Sequence, residues 1–122
     1  MRDTIKNHKD FHTDEDTPSA RTAFFIVRAK PAKFPSDPRV GFMVTKRTFK
    51  LAVHRNRAKR LLRDWVRFCA DLMSPEYDYI VFAHASILDA SREEGRAAMA
   101  QALQHILRKY GGKKSQNLAE NA

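Results

Sequence analysis

The spacing of apolar residues along the chain predicts three main strands. Residues 22–30 (TAFFIVRAK) and 39–47 (RVGFMVTKR) are rich in aromatic and β-branched side chains, as strands are. Residues 31–38 contain three prolines and are predicted to form a loop. Because this connection is short, we expect the two strands to be antiparallel neighbours. Residues 77–84 (YDYIVFAH) form a nearly continuous apolar run, which is typical of a central strand.

A helix is predicted between the second and third of these strands. At ~100° per residue, one stripe of this segment is apolar and is expected to pack on the sheet; it consists of Ala58, Leu61, Leu62, Trp65, Phe68, Cys69 and Leu72. The opposite face carries Asn56, Lys59, Arg60, Arg63 and Arg67. Pro75 ends the segment, because proline fixes its own φ and disfavours helix at the preceding residue.

A second helix is predicted after the third strand. Ser91 and Glu94 have the spacing of a capping box, and Gly111 and Gly112 predict the end of the helix. Its apolar face consists of Met99, Ala102, Leu103, Ile106 and Tyr110. The order of elements is (α)–β–β–α–β–α, which predicts an α+β fold with one sheet and helices packed against it. If the strands that flank the first helix are parallel neighbours, a right-handed crossover is the default.

The chain divides by composition into three segments. Residues 1–20 are polar, with an acidic run at residues 14–16, and are predicted to be flexible or to hold one short helix around residues 5–11. Residues 21–112 are predicted to form a single domain, which 122 residues are enough to build. Residues 113–122 are predicted to be a disordered tail.

The charge of the chain is strongly positive and concentrated in one segment. The net charge is +9 and the pI is about 10.1. Residues 45–67 hold nine basic residues and one acid, Asp64, and so carry +8 of that charge. Such a field favours polyanions, nucleic acid first and anionic membrane second. Since acids that would pair with these cations are nearly absent, a merely solvated helix face is the weaker interpretation.

Several classes of protein are disfavoured by the sequence. No apolar run approaches the ~18 residues of a membrane span, and the N-terminus lacks the apolar core of a secretory signal. The single cysteine, Cys69, falls on a helical apolar face, so we predict a buried reduced thiol in a cytoplasmic protein. His8 and His12 are spaced as metal ligands on one helical turn are, but they have no HExxH context, and we predict no metal site in the protein.

No catalytic constellation is visible, so the remaining chemistry is that of a binding surface. Arginine guanidinium groups match phosphate oxygens bidentately, and phosphate contacts give salt-dependent affinity. The Asn56 amide either contacts RNA or caps the helix N-terminus. The rings of Phe24, Phe25 and Phe42 either belong to the core or stack on unpaired bases.

The segments RVGFMVTKR (39–47), AVHRNRAKRLLRDWVR (52–67) and YDYIVFA (77–83) resemble the bacterial ribonuclease P protein family. The specific part is RNR followed by x-K-R-L-x-R, and the resemblance covers about residues 20–110. It implies an α-β-β-β-α-β-α fold like domain 2 of ribosomal protein S5, with a left-handed β-α-β crossover in place of the right-handed default. It also implies a protein subunit without catalytic groups of its own, in an endoribonuclease whose RNA cuts the 5′ leader from precursor tRNA with Mg²⁺.

The resemblance and the cationic segment together predict the site residues. The partners implied are the catalytic ribonuclease P RNA and precursor tRNA, with no membrane and no obligate protein partner. The predicted RNA-binding residues are Lys46, Arg47, Lys50, Arg55, Asn56, Arg57, Lys59, Arg60, Arg63 and Arg67. The predicted cleft for the single-stranded leader consists of Phe11, Phe24, Phe25, Asn56 and Arg60.

The sequence departs from the family pattern in three places. The family has a second phenylalanine four residues after the first, and Glu15 stands at that position here. Residues 49–53 (FKLAV) contain an extra residue relative to the family pattern. His84 stands where the family usually has an arginine. The alternatives are a structural RNA-binding protein of ribosomal type, a DNA-binding protein and a stand-alone nuclease. The DNA-binding protein is disfavoured because strands flank the basic helix. The nuclease would need His54 or His84 for activity.

Overall fold

The computed structural model describes residues 3–5, 11, 17–34 and 37–121 of the chain. Five strands form one sheet: β1 (Asp3–Thr4), β2 (Ser19–Arg21), β3 (Phe25–Pro31), β4 (Arg39–Met43) and β5 (Tyr77–Ala83). There are two α-helices, α1 (Ala52–Phe68) and α2 (Arg92–Asn121), and two short 3₁₀ segments, Ala70–Leu72 and Ala85–Asp89. The prediction of an α+β fold with a single mixed sheet is confirmed. No helix of the described part of the chain is both long enough and apolar enough to cross a lipid bilayer.

The order of the strands in the sheet is β1-β4-β5-β3-β2. The central strand β5 pairs in parallel with β4 and antiparallel with β3. The prediction that β3 and β4 are neighbours is therefore wrong, because β5 lies between them. The physical reason is that β5 is buried along nearly its whole length and so needs a partner on each side. A run of eight residues with three prolines is also unsuited to a tight hairpin turn.

A buried carboxylate fixes the loop that passes from β3 to β4. Asp78 of β5 has no exposed surface and accepts hydrogen bonds from the backbone N–H groups of Arg39 (2.7 Å) and Lys33 (3.3 Å). It also pairs with Nη2 of the Arg39 side chain at 3.2 Å. The charge of the buried carboxylate is thus compensated by an arginine and two backbone donors, as burial of a charge requires.

The main core lies between one face of the sheet and the two helices. Burial alternates along β3, where Phe25, Val27 and Ala29 face the core and their neighbours are half-buried. The ring of Phe25 lies 6.0 Å from the ring of Trp65 on α1. On the other side of the sheet, Ile5 is buried and the ring of Phe11 lies against Gly41, where a Cβ would be 2.6 Å from it.

The two helices approach closely at one glycine. Gly95 on α2 is buried, and a Cβ at this position would lie 1.9 Å from Cε2 of the Trp65 side chain. Only a residue without a side chain leaves room for the indole there. Ser91 and Glu94 begin α2 with the predicted capping box: the Glu94 backbone N–H donates to Ser91 Oγ at 3.1 Å, and the Ser91 N–H donates to Glu94 Oε1 at 3.0 Å.

Two details of the predicted helices differ from the structure. Phe68, assigned to the apolar face of α1, is 62% exposed, whereas Val66, which was not assigned to that face, is buried. The helix α2 continues past Gly111 and Gly112, and no glycine among the described residues has a positive φ. Glycine in a helix costs only about 1 kcal/mol relative to alanine, and the residues that follow are mostly good helix formers, so the helix does not stop at the two glycines as predicted.

The N-terminal segment also differs where it is described. Asp3–Thr4 forms a strand parallel to β4, and the Ile5 N–H donates to the Val40 carbonyl at 2.9 Å, so the predicted helix does not begin at residue 5. The rest of that prediction, and the departure at Glu15, fall on residues 6–10 and 12–16, outside the described residues. The division into segments and the handedness of the connection from β4 through α1 to β5 stay predictions.

Candidate nucleic-acid interface

The outer face of α1 and the loop before it carry the predicted RNA-binding residues. Eight of these ten side chains are exposed and two are half-buried, Arg55 and Lys59. Within the described part of the chain, none of the nine cations among them forms an ion pair with a carboxylate. The surface therefore presents uncompensated positive charge, as the sequence predicted.

The loop before α1 is held by its own backbone and one buried ring. The Thr48 N–H donates to Thr45 Oγ1 at 3.2 Å, and the Phe49 N–H donates to the Thr45 carbonyl at 2.9 Å. Phe49 is only 3% exposed and anchors the loop in the core. Lys46 and Arg47 occupy the turn between these anchors and are exposed to solvent. The turn thus presents the basic pair beside the start of the helix.

Arg55 has a different environment from its neighbours on the helix. Its Nη1 donates to the carbonyl of Phe49 at 2.8 Å and to that of Lys50 at 3.1 Å. These hydrogen bonds tie the loop to the first turn of α1 and occupy part of the guanidinium. The sequence could not separate this contact from a role in RNA binding, because both use an arginine at the same position of the RNR motif.

Asn56 is exposed in the second turn of α1. The helix begins at Ala52 after Leu51, which makes no side-chain capping bond. The alternative that Asn56 caps the helix is therefore excluded. Its amide lies among the cations and keeps both a donor and an acceptor for a partner.

The only acid of the cationic segment is engaged from the other helix. Asp64 receives two hydrogen bonds from Arg96 of α2, from Nε at 3.3 Å and from Nη2 at 3.2 Å. The Arg96 guanidinium also lies 4.2 Å from the centre of the Phe68 ring, which explains how this exposed ring is accommodated. Arg96 thus compensates the negative charge of Asp64 from the other helix.

The predicted leader cleft is only partly assembled. Phe25 is fully buried beneath Trp65 and cannot stack on a base, so its assignment to the cleft is corrected. Phe24 is half-buried, with its ring 6.3 Å from that of Trp65 on the helix side. Phe11 lies on the opposite side of the sheet, against Gly41.

The sheet face that bears Phe11 holds a ring that the sequence analysis missed. Phe82 of β5 is half-buried, pairs in register with Ile26 and has the Arg28 guanidinium 5.4 Å from its ring centre. Phe25 pairs with Ala83, and strand faces alternate, so Phe25 and Phe82 point to opposite sides of the sheet. The sequence predicts the alternation but not the register, so it could not assign Phe82 by itself. Since Phe25 is in the core, Phe82 lies on the other face.

No catalytic or metal-binding cluster appears in the described residues. No group of three or more His, Cys, Asp or Glu side chains there is placed to hold a metal ion. His54 is exposed in the first turn of α1, and His84 is half-buried after β5. Burial raises the pKa of the Cys69 thiol, and the nearby charge of Arg96 lowers it by less.

Comparisons with known proteins agree with this geometry. The family model described as Ribonuclease P matches residues 2–107. The ribonuclease P protein component of Lactobacillus delbrueckii subsp. bulgaricus is 31% identical over 112 residues, covering 89% of this chain and 93% of that protein. That of Bordetella parapertussis is 37% identical over 94 residues, covering 73% and 76%.

A solved structure shows the same fold. The Staphylococcus aureus RNase P protein matches with a TM-score of 0.60 at 24% identity, covering 88% of this chain and 94% of that one. The family model spans most of the chain, and relatives above 30% identity span more than two thirds of it. The chain therefore belongs to the ribonuclease P protein family, whose members are the protein subunits of the RNA-based holoenzyme that cleaves the 5′ leaders of precursor tRNA.

Proposed function

We propose that the outer face of α1 and the loop before it bind the catalytic RNA of ribonuclease P. The observation that carries this proposal is the set of nine cations without a carboxylate partner in the described residues, around an exposed amide at Asn56. Each arginine fork fits phosphate oxygens, which dominate affinity for RNA. Arg55 contributes by fixing the loop to the helix, and the other cations contact RNA directly.

We propose further that the 5′ leader of precursor tRNA lies across the sheet face opposite the helices. Phe11 and Phe82 place aromatic surface on this face, and Arg28 adds a cation beside Phe82. Unpaired bases stack on aromatic rings, and cations follow their backbone. This assignment replaces Phe25 by Phe82 in the cleft and places Phe24, whose ring lies beside Trp65 on the helix side of the sheet, outside it.

The chemistry of cleavage is assigned to the RNA partner. Mg²⁺, bound together with the RNA subunit, is the ion that membership of the ribonuclease P protein family leads us to expect. The protein is expected to act in the cytoplasm, where precursor tRNA is made, and to need no obligate protein partner. It serves by binding and positioning the two RNAs.

The first experiment measures binding to the cognate catalytic RNA as a function of salt. Arg60→Ala and Arg63→Ala should each weaken binding and reduce the slope of log K against log salt by roughly 0.7 to 0.9, because each removes one phosphate contact. Asn56→Ala should weaken binding without changing the slope. The matched control is Arg108→Ala, which removes an exposed arginine from α2. If neither Arg60→Ala nor Arg63→Ala lowers the slope, the phosphate-contact assignment is refuted.

The second experiment is cleavage of precursor tRNA at low Mg²⁺ with the protein, the cognate RNA, or both. The expected result is a mature 5′ end only when both are present. Cleavage by the protein alone would contradict the proposal and would make His54 and His84 candidate catalytic residues. Binding of RNA without any support of cleavage would indicate a structural RNA-binding protein instead.

A further inference from the structure

A cleft of about 490 Å³ opens between α1 and the first residue of α2. Its volume is within the ~300–1,000 Å³ of sites for small ligands. Val53, Leu61 and Trp65 supply apolar surface from α1, and three arginines border it. Two of these, Arg57 and Arg60, lie on α1, and the third, Arg92, is the first residue of α2. Neither the charge pattern of residues 45–67 nor the family motif points to Arg92.

This cleft lies on a different flank of α1 from most of the cationic stripe. At about 100° per residue, Val53, Arg57 and Leu61 follow one line along the helix, with Arg60 beside it. Lys59 and Arg63 lie on the far flank, and Arg60 stands between the two. RNA bound only along the flank of Lys59 and Arg63 would therefore not reach Arg92.

The electrostatics of the cleft favour an anion. Arg57, Arg60 and Arg92 have no carboxylate partner in the described residues. The one acid that borders the cleft, Asp64, is compensated by the bidentate contact with Arg96. Three cations therefore face the cleft with little opposing charge, which suits a phosphate.

The walls of the cleft favour a ligand that also has an apolar face. Val53 is 66% exposed, and such a side chain beside arginines can receive a base. Leu61 adds half-buried apolar surface next to Val53 in the same wall. A phosphate with an attached base meets both requirements.

We propose that this cleft binds one nucleotide of RNA, with its phosphate held by Arg57, Arg60 and Arg92 and its base against Val53 and Leu61. The inference rests on the proposed function, since it extends the RNA-binding surface from α1 onto the start of α2. Arg92 becomes an RNA-binding residue, and Asp64 and Arg96 become positioning residues for the cleft.

The test uses the full chain and the variants Arg92→Ala and Val53→Glu. Binding to the cognate catalytic RNA and binding of precursor tRNA by the reconstituted holoenzyme are both measured against salt. Arg92→Ala should reduce the salt slope by roughly 0.7 to 0.9 in at least one of the two measurements, and Val53→Glu should weaken binding in the same one. The measurement that responds identifies the source of the nucleotide.

The controls make the same chemical changes further along α2. Arg108→Ala and Gln104→Glu alter exposed residues that lie about 24 Å and 18 Å from Arg92 along the helix axis, at 1.5 Å per residue. They should leave both slopes unchanged. Circular dichroism and urea unfolding confirm that each variant folds, which is expected because all four side chains are exposed.

The outcome also separates this inference from the proposed function. If Arg63→Ala lowers the slope while Arg92→Ala and Val53→Glu have no effect in either measurement, the cleft does not bind RNA and the inference is overturned alone. If Arg63→Ala also has no effect, the proposed function fails with it. A loss with Arg92→Ala equal to that with Arg108→Ala would show only the effect of net charge, and would also overturn the inference.

Discussion

Replacement of Arg55 by alanine should lower the free energy of unfolding of the protein and leave the salt dependence of RNA binding nearly unchanged. The guanidinium donates to the Phe49 and Lys50 carbonyls at 2.8 and 3.1 Å, and the side chain is half-buried. Hydrogen bonds from a charged donor contribute about 1.5–3 kcal/mol when buried. One of the two is exposed to solvent, so we expect a loss of about 1–2 kcal/mol in the free energy of unfolding.

Two measurements on the same variants separate the two roles of arginine in this segment. Urea unfolding gives the stability, and titration of the cognate RNA at several salt concentrations gives the slope. Arg55→Ala should shift the unfolding midpoint and leave the slope nearly unchanged, whereas Arg63→Ala should do the opposite. Arg55→Lys should fall between, because lysine has no planar fork to reach both carbonyls. A fully stable Arg55→Ala variant whose slope drops like that of Arg63→Ala would refute our assignment and make Arg55 a phosphate contact.

Three further predictions concern the core beneath the interface. Gly95→Ala should destabilise the protein by about 1–3 kcal/mol in urea unfolding, because its Cβ would meet the Trp65 indole; a neutral effect would contradict the close approach of the helices. Asp78→Ala should cost about 3–5 kcal/mol in the same assay, since it leaves Arg39 buried without its partner; a loss below about 1 kcal/mol would argue against the buried pair. Burial raises the pKa of Cys69 above its ordinary 9.0, because the thiolate is less favourable in the folded protein than in the unfolded chain. The free energy of unfolding should therefore be unaffected by this group below pH 9 and should fall as the pH rises through the folded-state pKa. A thiol reagent at neutral pH should therefore modify Cys69 slowly in the native protein and quickly in urea, and equal rates would refute its burial.

The local elements were predictable because their signals are local. The strands, α1 and the capping box of α2 follow from periodicity and from residues a few positions apart. The order of strands was not predictable in this way. The insertion of β5 between β3 and β4 depends on pairings such as Val27 with Val81, between residues far apart in the chain. The short proline-rich loop suggested a hairpin, and only the burial of β5 on both sides overrides that suggestion.

The faces of α1 were predictable to within one position. The stripe predicted from a 100° period included Phe68, which lies at the edge of that stripe near the end of the helix. In the structure α2 contributes Arg96 there, and its guanidinium covers the exposed ring of Phe68. Val66, at the opposite edge of the stripe, is buried. Whether a residue at the edge of the apolar stripe is buried depends on the helix that packs beside it, and the sequence of α1 alone does not say which residues that helix places there.

The candidate site was predictable in its charge but not in its aromatic part. The cations of α1 are exposed or half-buried, as the helical period predicts, because the positions that face solvent follow from the positions that face the core. A phenylalanine in a strand is different, since both faces of a sheet accept it. Phe25 and Phe82 could be assigned to opposite faces only once the register of β3 and β5 was known.

The placement of Asp64 shows how the core and the interface depend on each other. Gly95 lets α2 approach Trp65, and one residue later Arg96 reaches Asp64 across the same contact. A helix pair held further apart would leave this carboxylate beside Arg60, four residues earlier on α1, and would weaken the positive surface without altering any residue on it. The packing of a glycine against a tryptophan thus keeps the charge of α1 available for the RNA contact proposed above, and we expect a substitution in the core to change RNA binding through Asp64.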